Sequence, residues 1–218
     1  TSKAKFTRFP NTHPEVAAVM EEIRRQLLDV HYLWTAWKQI FDSGEDNIHL
    51  LNLISNEFFG QIQVQMIHGV VLGLMRLADP AKTRHQENLS LEQLLCFDKD
   101  MIHSTIVSQA TKQLQQIRIQ VPSMKLLRDK RLAHSDKAFS VGTKKGNTIR
   151  VQFQNIEDVL DSMVAYYNIF LKHLEQREDR IRRASERGSA KLISRLKDAE
   201  RFTRVPNDVR RQLTEQYT

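Results

Sequence analysis

The stretch from Pro14 to Phe41, PEVAAVMEEIRRQLLDVHYLWTAWKQIF, sets the expectation for the whole chain. Its apolar residues Val16, Val19, Ile23, Leu27, Val30, Trp34, Trp37 and Phe41 recur every three or four positions. That spacing follows the turn of an α-helix and lines one face for about seven turns. Asn11 or Thr12 is placed to cap the helix, and Pro14 suits its first turn. Glu15, Glu21 and Glu22 put negative charge toward the positive end of its dipole. Ser43 and Gly44 end it.

Working outward, Asn47 to Leu77 carries a second helix, with Leu50, Leu51, Ile54, Phe58, Ile62, Met66 and Val70 on one side. From Val70 to Leu77 it is apolar nearly all round, as a central helix would be. Asp79-Pro80 stops it, and a loop runs through Gln86. Ser90 with Gln93 has the form of a capping box. It opens one helical stretch carrying Leu91, Leu94, Leu95, Ile102, Ile106, Ala110, Leu114 and Ile117. Pro122 breaks the pattern, and Val121 to Ala133 reads as a short helix.

After Asp136 the period drops to two. Ala138 to Val141 and Thr148 to Phe153, joined by Gly142-Thr-Lys-Lys-Gly146, read as a β-hairpin. A further helix starts at Asn155 or Glu157, with Ile156, Val159, Leu160, Met163, Tyr166, Tyr167, Phe170 and Leu174 apolar. From Glu175 to Thr218 the chain is strongly charged, with a thin stripe of Ile181, Leu192, Leu196 and Ala199. That segment is either a helical appendage or partly disordered. The expected fold is all-α: an up-and-down helical bundle over residues 12–175 with a small β-hairpin insertion. A basic helical C-terminal extension follows over residues 176–218.

Composition supports long helices. Of 218 residues only 7 are Gly and 5 Pro, while 40% are hydrophobic. The single cysteine, Cys96, excludes an intrachain disulfide and a cysteine-based metal cluster, and it fits a reducing cytoplasm. No apolar run approaches the roughly 20 residues of a membrane span, and TSKAKFTRFP lacks the apolar centre of a secretory signal. No membrane partner is therefore expected. The net charge is +7, and from Lys172 onward thirteen Lys/Arg face eight Asp/Glu. Such a tail meets phosphate backbones by counterion release or serves as a solvated helix surface.

One stretch carries chemistry: Arg128 to Asp136, RDKRLAHSD. Metal-free RNA cleavage needs a proton acceptor for the 2′-OH, a proton donor for the 5′-oxygen and a fixed cation for the phosphorane. His134 suits the proton transfers, because an unperturbed imidazole titrates near pH 6.5. Arg128 suits the cation, because its planar guanidinium contacts two phosphate oxygens and stays charged. Six helical positions, however, leave two side chains about 120° apart and roughly 9 Å along the axis. Either the helix distorts near Ala133-His134 or a second subunit completes the site.

The order of these stretches resembles the HEPN superfamily, whose signature is arginine, a polar residue, three or four variable residues and histidine. Arg128, Asp129, Lys130-Arg131-Leu132-Ala133 and His134 match it. More narrowly, the chain is similar to the branch of U-type abortive-infection proteins. That likeness covers the Trp34/Trp37 helix, LMRLADP at Leu74 to Pro80, NLSLEQLL at Asn88 to Leu95 and AHSD at Ala133 to Asp136. The resemblance implies a toxin or phage-defence endoribonuclease, metal-independent and without cofactor. It would act as a homodimer on single-stranded or looped RNA, with a composite site and a cyclic phosphate product. Arg128 and His134 carry over by position. Asp129 either orients Arg128 or is a surface charge paired with Lys125. Lys130, Arg131 and Lys137 are the nearest cations to grip RNA. In some relatives a tyrosine two positions after the histidine is modified by an antitoxin partner; here that position is Asp136, a departure from that pattern.

Other candidates carry less. His68 and His103 sit in apolar helical stretches and read as core or helix-surface residues, and no HExxH pattern occurs. Trp34 and Trp37, at helical spacing with Leu33, Ile40 and Phe41, read as core rather than as base-stacking platforms. Two alternatives stand beside the nuclease: a non-catalytic RNA- or nucleotide-binding module, and a helical scaffold in a defence complex.

Overall fold

A computed structural model describes residues 8–98, 100–129, 152–179, 181 and 189–204. The described chain is all-α, with six α-helices, one 3-10 helix and one two-stranded hairpin. It divides into two compact units, residues 1–31 with 68–184 and residues 32–67 with 185–218.

The apolar stripe that opens the sequence forms α1, Pro14–Phe41, and the second stretch forms α2, Glu45–Ala78. Gly44 joins them with φ +109°, a left-handed backbone that a side chain would strain. Asn11 and Thr12, the expected caps, instead bond the carboxylate of Glu175. Asn11 N–H and Thr12 Oγ1 donate to Glu175 Oε1 at 3.1 and 2.6 Å, and Asn11 Nδ2 donates to Glu175 Oε2 at 3.3 Å.

In the first unit, Val16, Met20, Ile23 and Leu27 of α1 are buried, as are Val70, Val71, Leu74, Met75 and Leu77 of α2. The helices α3, Ser104–Gln120, and α5, Phe153–Glu175, contact each other extensively. Their buried faces are Ile106, Ala110, Leu114 and Ile117 on α3, and Ile156, Val159, Leu160, Met163, Tyr166, Tyr167 and Phe170 on α5. A short α4, Pro122–Leu127, lies between them in sequence and buries Met124 and Leu127.

The single helix expected from Leu91 to Ile117 is two elements. A 3-10 helix, Leu91–Leu95, is separated from α3 by a turn in which Met101 and Ile102 N–H donate to Asp98 O. His103 is consequently exposed at the N-cap of α3, where its Nδ1 accepts from Thr105 N–H at 3.3 Å. The Ser90/Gln93 capping box does not form. Ser90 makes no side-chain cap bond, and its buried hydroxyl has no partner among the described residues. What holds this 3-10 helix is the buried Tyr166 hydroxyl, which donates to Leu91 O at 2.8 Å.

The described hairpin pairs β1, Lys82–Thr83, with β2, Gln86–Glu87, in the segment expected to be a plain loop. The hairpin expected over residues 138–153 lies outside the described residues apart from its last two positions. There Phe153 is the first residue of α5 rather than the end of a strand.

In the second unit Trp34, Trp37, Ile40, Phe41, Leu50 and Leu51 are buried, and the two indole rings stack 5.1 Å apart. They belong to the core, as the spacing predicts. Helix α6, Ser189–Thr203, buries Ile193 and exposes Leu192, so its apolar stripe is displaced one residue from the expected one. Within this unit α2 kinks at Ser55 and exposes Leu53, Ile54, Phe58 and Val64. Contrary to the expectation about membrane-span length, α2 is long and apolar enough to cross a membrane by length and composition, with a window of mean hydropathy 1.3. Gln61, Gln63 and Gln65 interrupt its apolar run without adding charge, which hides that average from a residue-by-residue reading.

Gly73 of α2 lies against Val30 of α1, where an added Cβ would collide with Val30 Cγ2. Helix propensity alone favours alanine over glycine by about 1 kcal/mol. Overpacking a core costs roughly 1–3 kcal/mol and outweighs that gain. Gly73→Ala is therefore expected to lower the urea-unfolding free energy by about 1 kcal/mol, and adding Val30→Ala to recover part of the collision cost. A Gly73→Ala chain more stable than the parent would contradict this packing.

Candidate functional site

Arg128 is reached by building up from α4. Pro122 supplies a first-turn residue that needs no N–H, and Met124 and Leu127 anchor the short helix in the core. Arg128 follows Leu127 directly, and with Asp129 it continues the helix as a wider π-type turn. Such turns occur often at functional sites. The distortion expected near Ala133-His134 falls outside the described residues.

The Arg128 guanidinium is held by two carboxylates. Its Nη1 donates to Asp79 Oδ1 at 2.6 Å and to Asp79 Oδ2 at 2.9 Å. Its Nε donates to Asp129 Oδ1 at 2.8 Å. The arginine side chain is only 19% exposed, against 32% for Asp79 and 43% for Asp129. Burial works against the charge of Arg128, but hydrogen bonding to Asp79 and then Asp129 outweighs it and raises the pKa above its ordinary value. Of the two readings of Asp129, the structure shows it bonded to Arg128.

Asp79 is the residue that sequence reasoning passed over. It is a helix stop, as the Asp-Pro pair predicts: it follows Ala78 at the end of α2 and precedes Pro80. Its carboxylate also reaches an arginine 49 positions later. The loop behind it is pinned at several points. Asn88 Nδ2 donates to Pro80 O at 2.8 Å, and Asn88 N–H to Ala81 O at 2.7 Å. Ala81 N–H donates to Glu92 Oε2 at 2.8 Å, while Arg118 Nη2 donates to Glu92 Oε1 at 2.8 Å. Burial alone would raise the Glu92 carboxyl, but the Ala81 N–H and then Arg118 outweigh it and hold it below the usual carboxylate range.

Three stretches distant in sequence therefore meet: LMRLADP through Asp79, NLSLEQLL through Asn88 and Glu92, and RDKRLAHSD through Arg128. Residues 13–179 match the family described as HEPN_AbiU2: AbiU2. The chain belongs to that family. It is an abortive-infection-type HEPN protein, with the matched region covering most of its length. Among curated proteins and among solved structures, none matches it.

For this HEPN chain the other expected site residues, His134, Lys130, Arg131 and Lys137, lie outside the described residues, as does Asp136. The described part of the site is Arg128 with Asp129, joined by Asp79. A partly buried guanidinium held in one orientation is suited to receive phosphate oxygens in a fixed geometry.

The Glu92 clamp sets a pH dependence. A carboxyl whose folded pKa is depressed stabilises the fold above its unfolded value, near pH 4.3. That contribution is lost as pH falls through the lower folded value. The thermal midpoint of Glu92→Gln should therefore lie furthest below that of the parent near pH 7, and the two should converge below roughly pH 4. A gap constant from pH 7 to pH 3 would contradict the pairing of Glu92 with Arg118 and Ala81.

Proposed function

We propose that this HEPN chain is a metal-independent endoribonuclease of the toxin or phage-defence type, acting in the cytoplasm as a homodimer with a composite Arg128/His134 site. One observation carries the reading: the signature arginine is neither free on the surface nor lost in the core. It is held at 19% exposure by two carboxylates, where a preorganised cation for a phosphorane would be held.

In this mechanism an imidazole takes the 2′-OH proton, and the 2′-oxygen attacks the adjacent phosphorus. The P–O5′ bond then breaks, leaving a 2′,3′-cyclic phosphate, and the departing 5′-oxygen receives a proton. Arg128 holds the negative charge that accumulates on the non-bridging oxygens. One His134 performs both proton transfers in turn, or two do so across a two-fold axis. A paired arrangement supplies an acid and a base at once, which a single imidazole provides only in turn. The exposed apolar residues Leu53, Ile54, Phe58 and Val64 support association of the chain with another copy. Lys130, Arg131 and Lys137 supply further phosphate contacts, and an antitoxin protein is the regulator this reading calls for.

The test is cleavage of an unstructured RNA in EDTA, with solution mass measured on the same sample. The parent should cleave as a dimer, and Arg128→Ala should slow cleavage by about 100-fold or more. Arg128→Ala with His134→Ala should abolish it. Equal products from parent and double variant remove the nuclease reading. Salt-sensitive RNA binding without turnover selects the non-catalytic binding module instead.

A further inference from the structure

The geometry points to Asp79 as the positioning residue of this site, the group that ties the Arg128 guanidinium to the rigid core so that it meets a phosphate in one orientation. The inference rests on the proposed role of Arg128 as the phosphate-holding cation.

The two carboxylates on Arg128 are not equivalent. Asp129 is the next residue in the chain and shares the same π-type turn, so it moves with Arg128 and cannot fix it relative to anything else. Asp79 comes from a different element. It directly follows Leu77 and Ala78, which are buried at the end of α2. On its other side Pro80 restricts the backbone, and Ala81, itself buried, is tethered by Glu92. Arg118 holds the second oxygen of Glu92. The carboxylate of Asp79 is thus fixed from both directions.

The attachment points matter as much as the anchor. Asp129 takes Nε and Asp79 takes Nη1, two different nitrogens of one planar group. One contact alone leaves the guanidinium free to swing about it; two set both the direction and the tilt of its plane. Without Asp79, the long flexible side chain keeps only the contact that travels with it.

Charge gives the proposal its kinetic signature. Two carboxylates on one guanidinium leave the cluster one unit negative, which disfavours an approaching RNA phosphate. Removing the charge of Asp79 should therefore leave KM unchanged or lower it, while the loss of orientation lowers kcat. A residue that merely stabilised the fold would act through the fraction folded and leave the behaviour of Arg128 in the folded molecules unchanged.

The experiment uses the full chain with Asp79→Asn and Asp79→Ala, assayed on unstructured RNA in EDTA well below the thermal midpoint of each variant. In parallel, 15N spectra follow the Arg128 side-chain N–H signals, assigned by their disappearance in Arg128→Lys. The expected result is a kcat reduced about tenfold in Asp79→Asn and more in Asp79→Ala, with KM not raised. In the parent the Arg128 Nη protons should give separate signals, from slow rotation about the Cζ–N bonds, which merge in both variants. An unchanged kcat in Asp79→Ala overturns the proposal. So does a reduced kcat matched by the loss of folded protein, with parent-like Arg128 signals. Should the parent itself fail to cleave RNA, the nuclease reading falls, and the spectra still decide the positioning: freely rotating Arg128 in the parent overturns it.

Discussion

The contact between Asp79 and Arg128 joins the end of one core helix to the end of another across 49 positions of sequence. A guanidinium at 19% exposure has lost much of its hydration, and a partly buried cation is tolerated only when carboxylates replace the water. That requirement constrains everything around it. Helix α2 must stop at Ala78 so that Asp79 can turn out of it, and α4 must deliver Arg128 within 3 Å of the carboxylate. The Asp-Pro dipeptide, the short hairpin and the 3-10 helix are the local structures that make those two ends meet.

Behind the ion pair lies ordinary packing. Gly73 brings α2 against Val30 of α1, and the buried run Val70 to Ala78 fixes where α2 ends. The Tyr166 hydroxyl reaches from α5 to the Leu91 carbonyl, and burial, reinforced by Glu92 and Cys96, drives its pKa upward, so it remains a neutral donor. Leu91 and Leu94 are buried beside it, which places Glu92 where it can hold the loop after Asp79. Apolar contacts thus position polar groups, and the polar groups position Arg128.

Much of this was legible in the sequence, and the remainder was not for identifiable reasons. Helices α1 and α5 carry enough turns for a period of 3.6 to be unmistakable, whereas in α2 the expected face fails at Ile54 and Phe58, which are exposed on either side of the kink at Ser55. The break between Leu95 and Ser104 was missed because no Gly or Pro marks it; Asp98 accepts two backbone N–H groups there, and nothing in its neighbours announces that. Ser90 had the right spacing for a capping box, but burial removed its hydroxyl from that role. In α6 adjacent Leu192 and Ile193 differ by about 100° around the helix, so a thin stripe could not say which of them faces inward. Arg128 was found from its chemistry, and Asp129 only from the polar slot of the signature, with its role left open between two readings. Asp79 was seen only as a helix stop, since a contact between helix ends has no periodicity to read.

On the proposed reading, these constraints divide the work of meeting RNA. An arginine already offset by two carboxylates adds little long-range attraction, whereas the described helix α6 carries Lys191, Arg195, Lys197 and Arg201 against Asp198 and Glu200. A surplus of that kind raises the local concentration of a polyanion without choosing an orientation. Arg128 has the complementary properties: weak in net charge, fixed in direction, and shielded from water. Attraction that is strong but unselective and a contact that is weak at a distance and exacting at close range are thereby the work of different residues. Phosphoryl chemistry benefits most from the second kind, because a fixed donor stabilises charge that develops during reaction more than charge already present in the bound RNA.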